Sequence, residues 1–139
     1  MSYEAIHEMP YMDMVIDETM RIFPPAYRMD RVASEDYTYT FNGSEIRMPK
    51  GQVVTYSIYA LHHDPDIYPE PCKFDPERFS PENKKKRDPC AFLPFGAGPR
   101  ICVGMRFAII EIKLLLARLV SKYQLERCEK TPVREIMTR

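Results

Sequence analysis

The chain contains one segment, FLPFGAGPRICVG at residues 92–104, that restricts its fold more than any other. The segment combines three glycines and two prolines with a single cysteine, Cys102, and the most apolar stretch of the sequence follows it. Glycine and proline interrupt regular structure, so the segment predicts an ordered turn that leads into a helix. A thiol at a helix start lies near unpaired N–H groups and the positive end of the helix dipole, and both favour the thiolate. The turn therefore holds a sulfur that an ordinary connection does not need.

Phosphate binding is the first chemistry to test against this turn. A dinucleotide fingerprint starting at Gly96 requires a third glycine where the chain has Ile101. A Walker motif requires lysine after Gly104, and the chain has Met105. Both phosphate-binding motifs are therefore excluded.

A nucleophilic or redox-active cysteine is the second chemistry, and it stays open. Arg100 lies two residues before Cys102 and would stabilise the thiolate. A cysteine nucleophile also needs a base, and the neighbouring His62 and His63 belong to a distant segment. That histidine pair is better interpreted as the end of a short helix or a turn than as a metal site, because adjacent side chains point in different directions.

A metal thiolate is the third chemistry and uses the same electrostatics. Backbone N–H groups would donate to the sulfur of Cys102, and Phe95 would shield it from water. Gly98 and Gly104 would let a flat cofactor approach the backbone closely, because they carry no side chain. Among haem-iron ligands, a thiolate is the one that favours cleavage of the O–O bond.

The segment resembles the haem-binding signature of the cytochrome P450 family, Phe-x-x-Gly-x-Arg-x-Cys-x-Gly. It matches that pattern at all five specified positions, Phe95, Gly98, Arg100, Cys102 and Gly104. ALHHDP, FLPFGAGPR and GMRFA are most similar to the animal microsomal group that contains family 3 and thromboxane synthase.

Two further motifs extend the resemblance. ETMR carries Glu18 and Arg21 at an i,i+3 spacing that puts both on one helix face, and FDPERF carries Arg78. In the family, residues at these three positions form a buried charge triad that holds the structure around the haem. One carboxylate shared by two guanidiniums leaves excess positive charge, so we expect backbone carbonyls to complete the set.

The rest of the chain predicts a mainly α structure with a small antiparallel β-sheet, an α+β fold. YMDMVIDETMRIF, between prolines, has helical spacing with Met12, Val15, Ile16, Thr19 and Phe23 on its apolar face. Asn42-Gly43 favours a hairpin, and QVVTYSIYALHH predicts a strand followed by a short helix. The resemblance implies the carboxy-terminal portion of the cytochrome P450 fold, with these parts: helix K at 10–23, hairpin and strand at 37–60, a proline-rich loop at 65–94, the cysteine loop at 95–104, and helix L at 103–123. Helix L is apolar nearly all round, so we expect it to be buried.

Composition excludes several other classes of protein. Lys plus Arg equals Asp plus Glu at 20 each, which does not indicate a nucleic-acid binder. No apolar run reaches the roughly 20 residues of a membrane helix, and the first ten residues lack the features of a signal peptide. The four cysteines form no C-x-x-C pair, which argues against a zinc ribbon and a disulfide scaffold. Cys72, Cys90 and Cys128 are expected to carry no function, and the basic run at 84–87 is expected to be a solvated loop.

The resemblance implies site roles residue by residue. Cys102 would be the axial ligand of the haem iron, and Phe95, Gly98 and Gly104 would line the cofactor. Arg100 and Arg31 would pair with the haem propionates, with Arg28 as an alternative to Arg31. Substrate contacts would come from the segment after helix K, at Pro25, Ala26 and Tyr27. No other catalytic residue is expected in this chain.

The resemblance also implies a function for a longer protein of which this chain is expected to be a carboxy-terminal fragment. That protein would be a monooxygenase with haem b that inserts one oxygen atom of O2 into a lipophilic small molecule. NADPH would supply electrons through a reductase, at the cytosolic face of the endoplasmic reticulum, with a membrane anchor outside this chain. A haem-thiolate isomerase of a hydroperoxide or endoperoxide is the alternative, and a non-catalytic truncated product is another. Alone, the chain is expected to expose apolar surface on helix L and neither to bind haem stably nor to turn over.

Overall fold

The computed structural model describes residues 3–131 as a mainly α structure with two small antiparallel sheets, which confirms the predicted fold class. Five α-helices and four strands are formed in this part of the chain. In chain order they are α1 (Tyr3–His7), α2 (Pro10–Ile22), β1 (Arg28–Val32), β2 (Tyr37–Phe41), β3 (Ser44–Met48), β4 (Val53–Ser57), α3 (Ile58–His62), α4 (Pro81–Lys86) and α5 (Met105–Lys122).

Helix α2 follows the limits that its prolines set, but it buries a different face from the predicted one. Pro10 occupies the first turn, where its missing N–H costs nothing, and the helix ends just before Pro24. Thr19 and Phe23, which were predicted to face the core, are exposed. Glu18 and Arg21 are fully buried instead. The apolar spacing misses these two residues because it counts only apolar side chains, whereas the family resemblance predicts their burial as an ion pair.

Two pairs of strands form separate sheets. Strands β2 and β3 make the predicted hairpin, in which Asn42 and Gly43 have φ values of 48° and 76°. Strand β1, which was not predicted, pairs with β4 from Arg28↔Ser57 to Val32↔Val53. Its residues, RMDRV, lack the apolar alternation of a strand, so the pairing with β4 defines it.

The proline-rich segment at 65–94 is more regular than the predicted loop. Three short helical pieces lie in it: Pro76–Phe79, α4 and Pro89–Ala91. Each starts with proline directly after a capping side chain, which accepts a backbone N–H two or three residues on. Lys84–Lys86, predicted to lie in a loop, therefore belong to the last turn of α4, which is where cations suit the helix dipole.

The hydrophobic core joins α2 to this proline-rich segment. Met14 packs with the buried Tyr68 and Phe79, and the partly buried Ile67 and Phe92 pack against them. The hydroxyl of Tyr68 donates to the carbonyl of Ala91 at 3.0 Å. The core thus fixes the chain just before the cysteine-containing segment.

Helix α5, predicted to be buried, is largely exposed in the structure. Phe107, Leu115 and Val120 are more than half exposed, whereas Lys113 and Ala117 are buried. Within residues 3–131, α5 packs against α1 and reaches α2 through the ion pair between Lys113 and Asp13. The predicted exposed apolar surface is therefore present. Between residues 3 and 131, no helix is both long and apolar enough to cross a bilayer.

Candidate cofactor-binding site

Cys102 lies in a short loop whose backbone is fixed at both ends. Its N–H donates to the carbonyl of Phe95 at 2.9 Å. Its own carbonyl accepts the N–H of Met105, the first residue of α5, at 3.3 Å. A single 3₁₀ turn, Gly98–Arg100, fills the loop. The thiol of Cys102 is free and exposed, and the half-buried Phe95 does not cover it.

Two glycines give the cysteine loop its shape. Gly96 and Gly98 have φ values of 76° and 71°, in the left-handed region that favours glycine. A Cβ on Gly96 would lie 3.3 Å from Sδ of Met29, so this glycine lets β1 pack against the loop. A Cβ on Gly98 would meet no atom within 4 Å. Gly98 therefore borders open space, whereas Gly96 borders protein. The packing role of Gly96 was not predicted from the sequence.

Gly104 stands between the cysteine and α5. It is the residue before the first turn of the helix, and a Cβ there would lie 4.0 Å from Sγ of Cys102. Because α5 has 18 residues, its N-terminus is a well-developed positive end of a helix dipole. The sulfur is thus close to the end of a helix that stabilises negative charge.

The two arginines predicted to bind propionates are both exposed. Arg100 ends the 3₁₀ turn of the cysteine loop. Arg31 lies on β1, where its Nη1 donates to the carbonyl of Asp30 at 2.9 Å and its guanidinium lies over the ring of Tyr56. Among the ion pairs of the described chain, neither arginine takes part, so both guanidiniums can bind an anion. Arg28, the alternative, is also exposed, at the start of the same strand.

The segment predicted to contact substrate links α2 to β1. Pro25 and Tyr27 are exposed and Ala26 is half-buried. The carbonyl of Tyr27 accepts the N–H of Tyr59 at 3.1 Å, and the two rings lie 5.7 Å apart. The backbone is therefore held while the ring of Tyr27 remains open to solvent.

The structure brings Glu18, Arg21 and Arg78 together. Arg21 donates from Nε to Oε2 of Glu18 at 2.7 Å and from Nη2 to Oε1 at 2.9 Å. Nε of Arg78 lies 3.5 Å from Oε1 of the same carboxylate, which also accepts the N–H of Asp75 at 2.9 Å. The Pro76–Phe79 turn, which carries Arg78, is thereby fixed against α2.

Backbone carbonyls accept hydrogen bonds from further donors of the two arginines. Nη1 of Arg21 donates to the carbonyl of His62 at 2.8 Å, and Nη2 donates to that of Pro71 at 2.7 Å. Nη2 of Arg78 donates to the carbonyl of Glu70 at 3.0 Å. Carbonyl oxygens carry partial negative charge, so they offset the excess positive charge of the cluster.

Two further buried polar residues support this region: His62, which ends α3 as predicted, and Lys113. His62 is fully buried, and its Nε2 accepts the N–H of Leu93 at 3.0 Å. Burial lowers the pKa of His62 to about 4, so the ring is neutral near pH 7. Lys113 of α5 is buried and donates to Oδ2 of Asp13 on α2 at 2.9 Å. A lysine inside an apolar helix was a signal for this ion pair, but nothing in the sequence pointed to the histidine contact.

The residues at Cys102 fit a planar, anionic group bound through sulfur. The thiol is exposed, the space beside Gly98 is open, and two guanidiniums on neighbouring segments can bind carboxylates. A bare metal ion fits less well, because no group of three or more Cys, His, Asp and Glu residues converges in the described part of the chain. The donor set is therefore suited to haem rather than to a zinc site.

Comparison with known proteins gives one consistent result. The model of the family described as Cytochrome P450 matches residues 1–139. Cytochrome P450 9e2 of Blattella germanica is 48% identical over 133 residues, which are 96% of this chain and 25% of that protein. Cytochrome P450 3A31 of Mesocricetus auratus and 3A18 of Rattus norvegicus are 46% and 48% identical over 132 residues, 95% of this chain and 26% of theirs. The 3A relatives confirm the resemblance to family 3, and the chain spans about a quarter of the length of these proteins.

Proposed function

This chain belongs to the cytochrome P450 family, and we propose that the protein containing it is a haem-thiolate monooxygenase with Cys102 as the iron ligand. The single observation that carries the proposal is the exposed thiol of Cys102 at the start of α5, in a loop closed by its own N–H and bordered by open space at Gly98. When bound, haem b supplies the activation of dioxygen, which a thiolate ligand favours.

The residues of the cysteine loop keep the sulfur accessible. An iron-bound thiolate at Cys102 would lie near the positive end of the α5 dipole. Gly98 and Gly104 leave room beside the sulfur for a flat ring, and Phe95 holds Cys102 through its carbonyl. These residues bind and orient the cofactor.

Arginines on two segments would hold the carboxylates of the cofactor. Arg100 comes from the cysteine loop and Arg31 from β1, and both guanidiniums are exposed. The contact between Met29 of β1 and Gly96 keeps these segments adjacent. A guanidinium pairs well with a planar carboxylate, so the two arginines would fix the orientation of the ring.

The cluster of Glu18, Arg21 and Arg78 has a structural role in this proposal. It joins α2 to the Pro76–Phe79 turn and, through the carbonyl of His62, to the end of α3. Its side chains are buried or nearly so, and they pair with one another and with backbone carbonyls. The cluster therefore stabilises the support of the cysteine loop and takes no part in chemistry.

The substrate would be a lipophilic small molecule that contacts Pro25, Ala26 and Tyr27. The exposed ring of Tyr27 offers an apolar surface on a fixed backbone. In the overall reaction, one oxygen atom of O2 enters a C–H bond of the substrate and the other leaves as water. NADPH supplies the two electrons through a reductase, and the protein would act at the endoplasmic reticulum membrane, on its cytosolic face.

Isotopically labelled dioxygen tests this function in the protein that contains this chain. We expect one labelled atom in each product molecule and turnover that requires both NADPH and the reductase. Turnover of a hydroperoxide or endoperoxide without reductase, and without label in the product, would instead indicate the haem-thiolate isomerase.

A further inference from the structure

We infer that His62 is a positioning residue, whose neutral imidazole fixes the entry of the cysteine loop by accepting the N–H of Leu93. The inference rests on the proposed role of that loop in binding haem. His62 ends α3 and makes contacts on two sides. Its carbonyl accepts Nη1 of Arg21 at 2.8 Å, and its ring binds Leu93. It therefore connects the buried charge cluster to the segment that carries the cysteine.

A short series of hydrogen bonds links His62 to Cys102. Nε2 of His62 accepts the N–H of Leu93 at 3.0 Å. The carbonyl of Leu93 accepts the N–H of Gly96 at 3.1 Å, which closes the turn around Phe95. The carbonyl of Phe95 then accepts the N–H of Cys102 at 2.9 Å. Leu93 is thus held through both its N–H and its carbonyl. A substitution at His62 therefore affects the cysteine loop through Leu93.

The surroundings of His62 fix the orientation of the ring. The side chain is fully buried, stacked on Phe92 at 5.2 Å and edge-on to Tyr68 at 6.5 Å. Since Nε2 accepts a hydrogen bond, the neutral ring carries its proton on Nδ1. The backbone of Met20 and Arg21 at the end of α2 lies within reach of the ring, without good hydrogen-bond geometry at Nδ1.

Charged and titratable groups face His62 from each neighbouring element. Arg21 faces it from α2, His63 is the next residue in the chain, and the Tyr68 ring lies edge-on from the following segment. Burial and the positive charge of Arg21 both lower the pKa of His62, and they outweigh the backbone contacts, which raise it. A second proton would turn Nε2 into a donor facing the N–H of Leu93. Two donors repel, so protonation would release the entry of the loop.

Two substitutions at His62 distinguish the effect of its hydrogen-bond acceptor from the effect of its ring packing. His62→Gln keeps an acceptor in the place of Nε2 but does not titrate, whereas His62→Phe keeps the stacking on Phe92 and removes the acceptor. His63→Gln is the control, because His63 is only half-buried and its Nδ1 bonds to the carbonyl of Tyr59. The three variants are compared with wild type in the haem-loaded protein that contains this chain.

The first measurement follows the optical signature of thiolate ligation, in the ferrous–carbon monoxide state, as the pH is lowered. We expect wild type and His63→Gln to lose the signature in the same acid range, and His62→Gln to keep it to lower pH. We expect His62→Phe to lose haem about tenfold faster than wild type at pH 7, because a buried N–H is left unsatisfied. Equal acid titration of wild type and His62→Gln would overturn the inference.

The second measurement is hydrogen exchange at the Leu93 amide, without added haem. We expect the amide to be protected in wild type and His62→Gln, and to exchange about tenfold faster in His62→Phe. Equal protection in all three proteins would overturn the inference even if haem binds.

A wild-type protein without the thiolate signature would contradict the proposed function, and the exchange result would still decide the role of His62. If His62→Phe does not fold, the acid titration of His62→Gln decides alone.

Discussion

Arg21 holds Glu18 through two hydrogen bonds, from Nε to Oε2 at 2.7 Å and from Nη2 to Oε1 at 2.9 Å, and both side chains are fully buried. The planar fork of a guanidinium matches a carboxylate in this way, and lysine cannot. The same guanidinium also donates to the carbonyls of His62 and Pro71. One ion pair on α2 thus fixes two distant segments that lead towards the cysteine loop.

We predict that Glu18→Gln lowers the free energy of unfolding by about 3–5 kcal/mol, because it leaves the buried Arg21 without its counter-charge. Glu70→Gln is the matched control: Glu70 pairs with Lys73 at the same i,i+3 spacing, but both side chains are more than half exposed. Its expected cost is below about 1 kcal/mol. Urea unfolding of the two variants measures the difference, and similar costs would show that burial of the ion pair is unimportant.

We predict that Gly98→Ala weakens haem binding, whereas Gly51→Ala does not. The two glycines have similar φ values of 71° and 85°, and a Cβ on either would meet no atom within 4 Å. Both substitutions therefore cost stability through the backbone alone, about 1 kcal/mol each. Only Gly98 belongs to the cysteine loop, where a methyl group would crowd the proposed cofactor. Haem affinity should fall roughly tenfold for Gly98→Ala alone. An equal affinity for both variants would contradict the proposal that Gly98 leaves room for the cofactor.

We predict that substituting the two partners of the Lys113–Asp13 ion pair costs different amounts of stability. The side chain of Lys113 is 4% exposed and that of Asp13 is 38% exposed. Asp13→Asn leaves a buried ammonium unpaired, so we expect a loss of about 3 kcal/mol in unfolding free energy. Lys113→Met leaves a carboxylate that water can still reach and should cost less than about 1 kcal/mol. Thermal unfolding of both variants distinguishes them, and equal losses would refute the asymmetry.

The buried His62 predicts a loss of stability in mild acid. Burial lowers its pKa from 6.5 to about 4, so the unfolded chain takes up the proton first as the pH falls. The contribution of the neutral His62 to the free energy of unfolding is complete above about pH 7. About 3 kcal/mol is lost between pH 6.5 and 4, because each pKa unit corresponds to about 1.4 kcal/mol. Burial also lowers the pKa of His63 and raises that of Asp17, so these groups titrate as well. Urea unfolding of wild type and His62→Gln across this range isolates His62, and parallel curves would contradict the prediction.

Features encoded by a few neighbouring residues could be predicted from the sequence. Prolines gave the limits of α2, and Asn42-Gly43 gave the hairpin between β2 and β3. The cysteine turn could be found because its glycines, Arg100 and Cys102 lie within one short segment. In each case, the conformation depends on local backbone preferences.

Features that depend on distant contacts could not be predicted in the same way. Strand β1 exists through its pairing with β4, and its own residues do not alternate. The apolar pattern of α2 did not show that Glu18 is buried, because its burial depends on Arg21, on Arg78 from another segment and on a backbone N–H; only the family resemblance predicted it. His62 binds an N–H that lies 31 residues further along the chain. No local pattern encodes such a partner.

The ferrous–carbon monoxide spectrum tests the proposal that Cys102 ligates the haem iron. The measurement compares Cys102→Ser with Cys90→Ser in the protein that contains this chain; both cysteines are free and exposed. We predict that Cys90→Ser keeps the long-wavelength band of thiolate-ligated haem and that Cys102→Ser loses it. An unchanged band in Cys102→Ser would contradict the account.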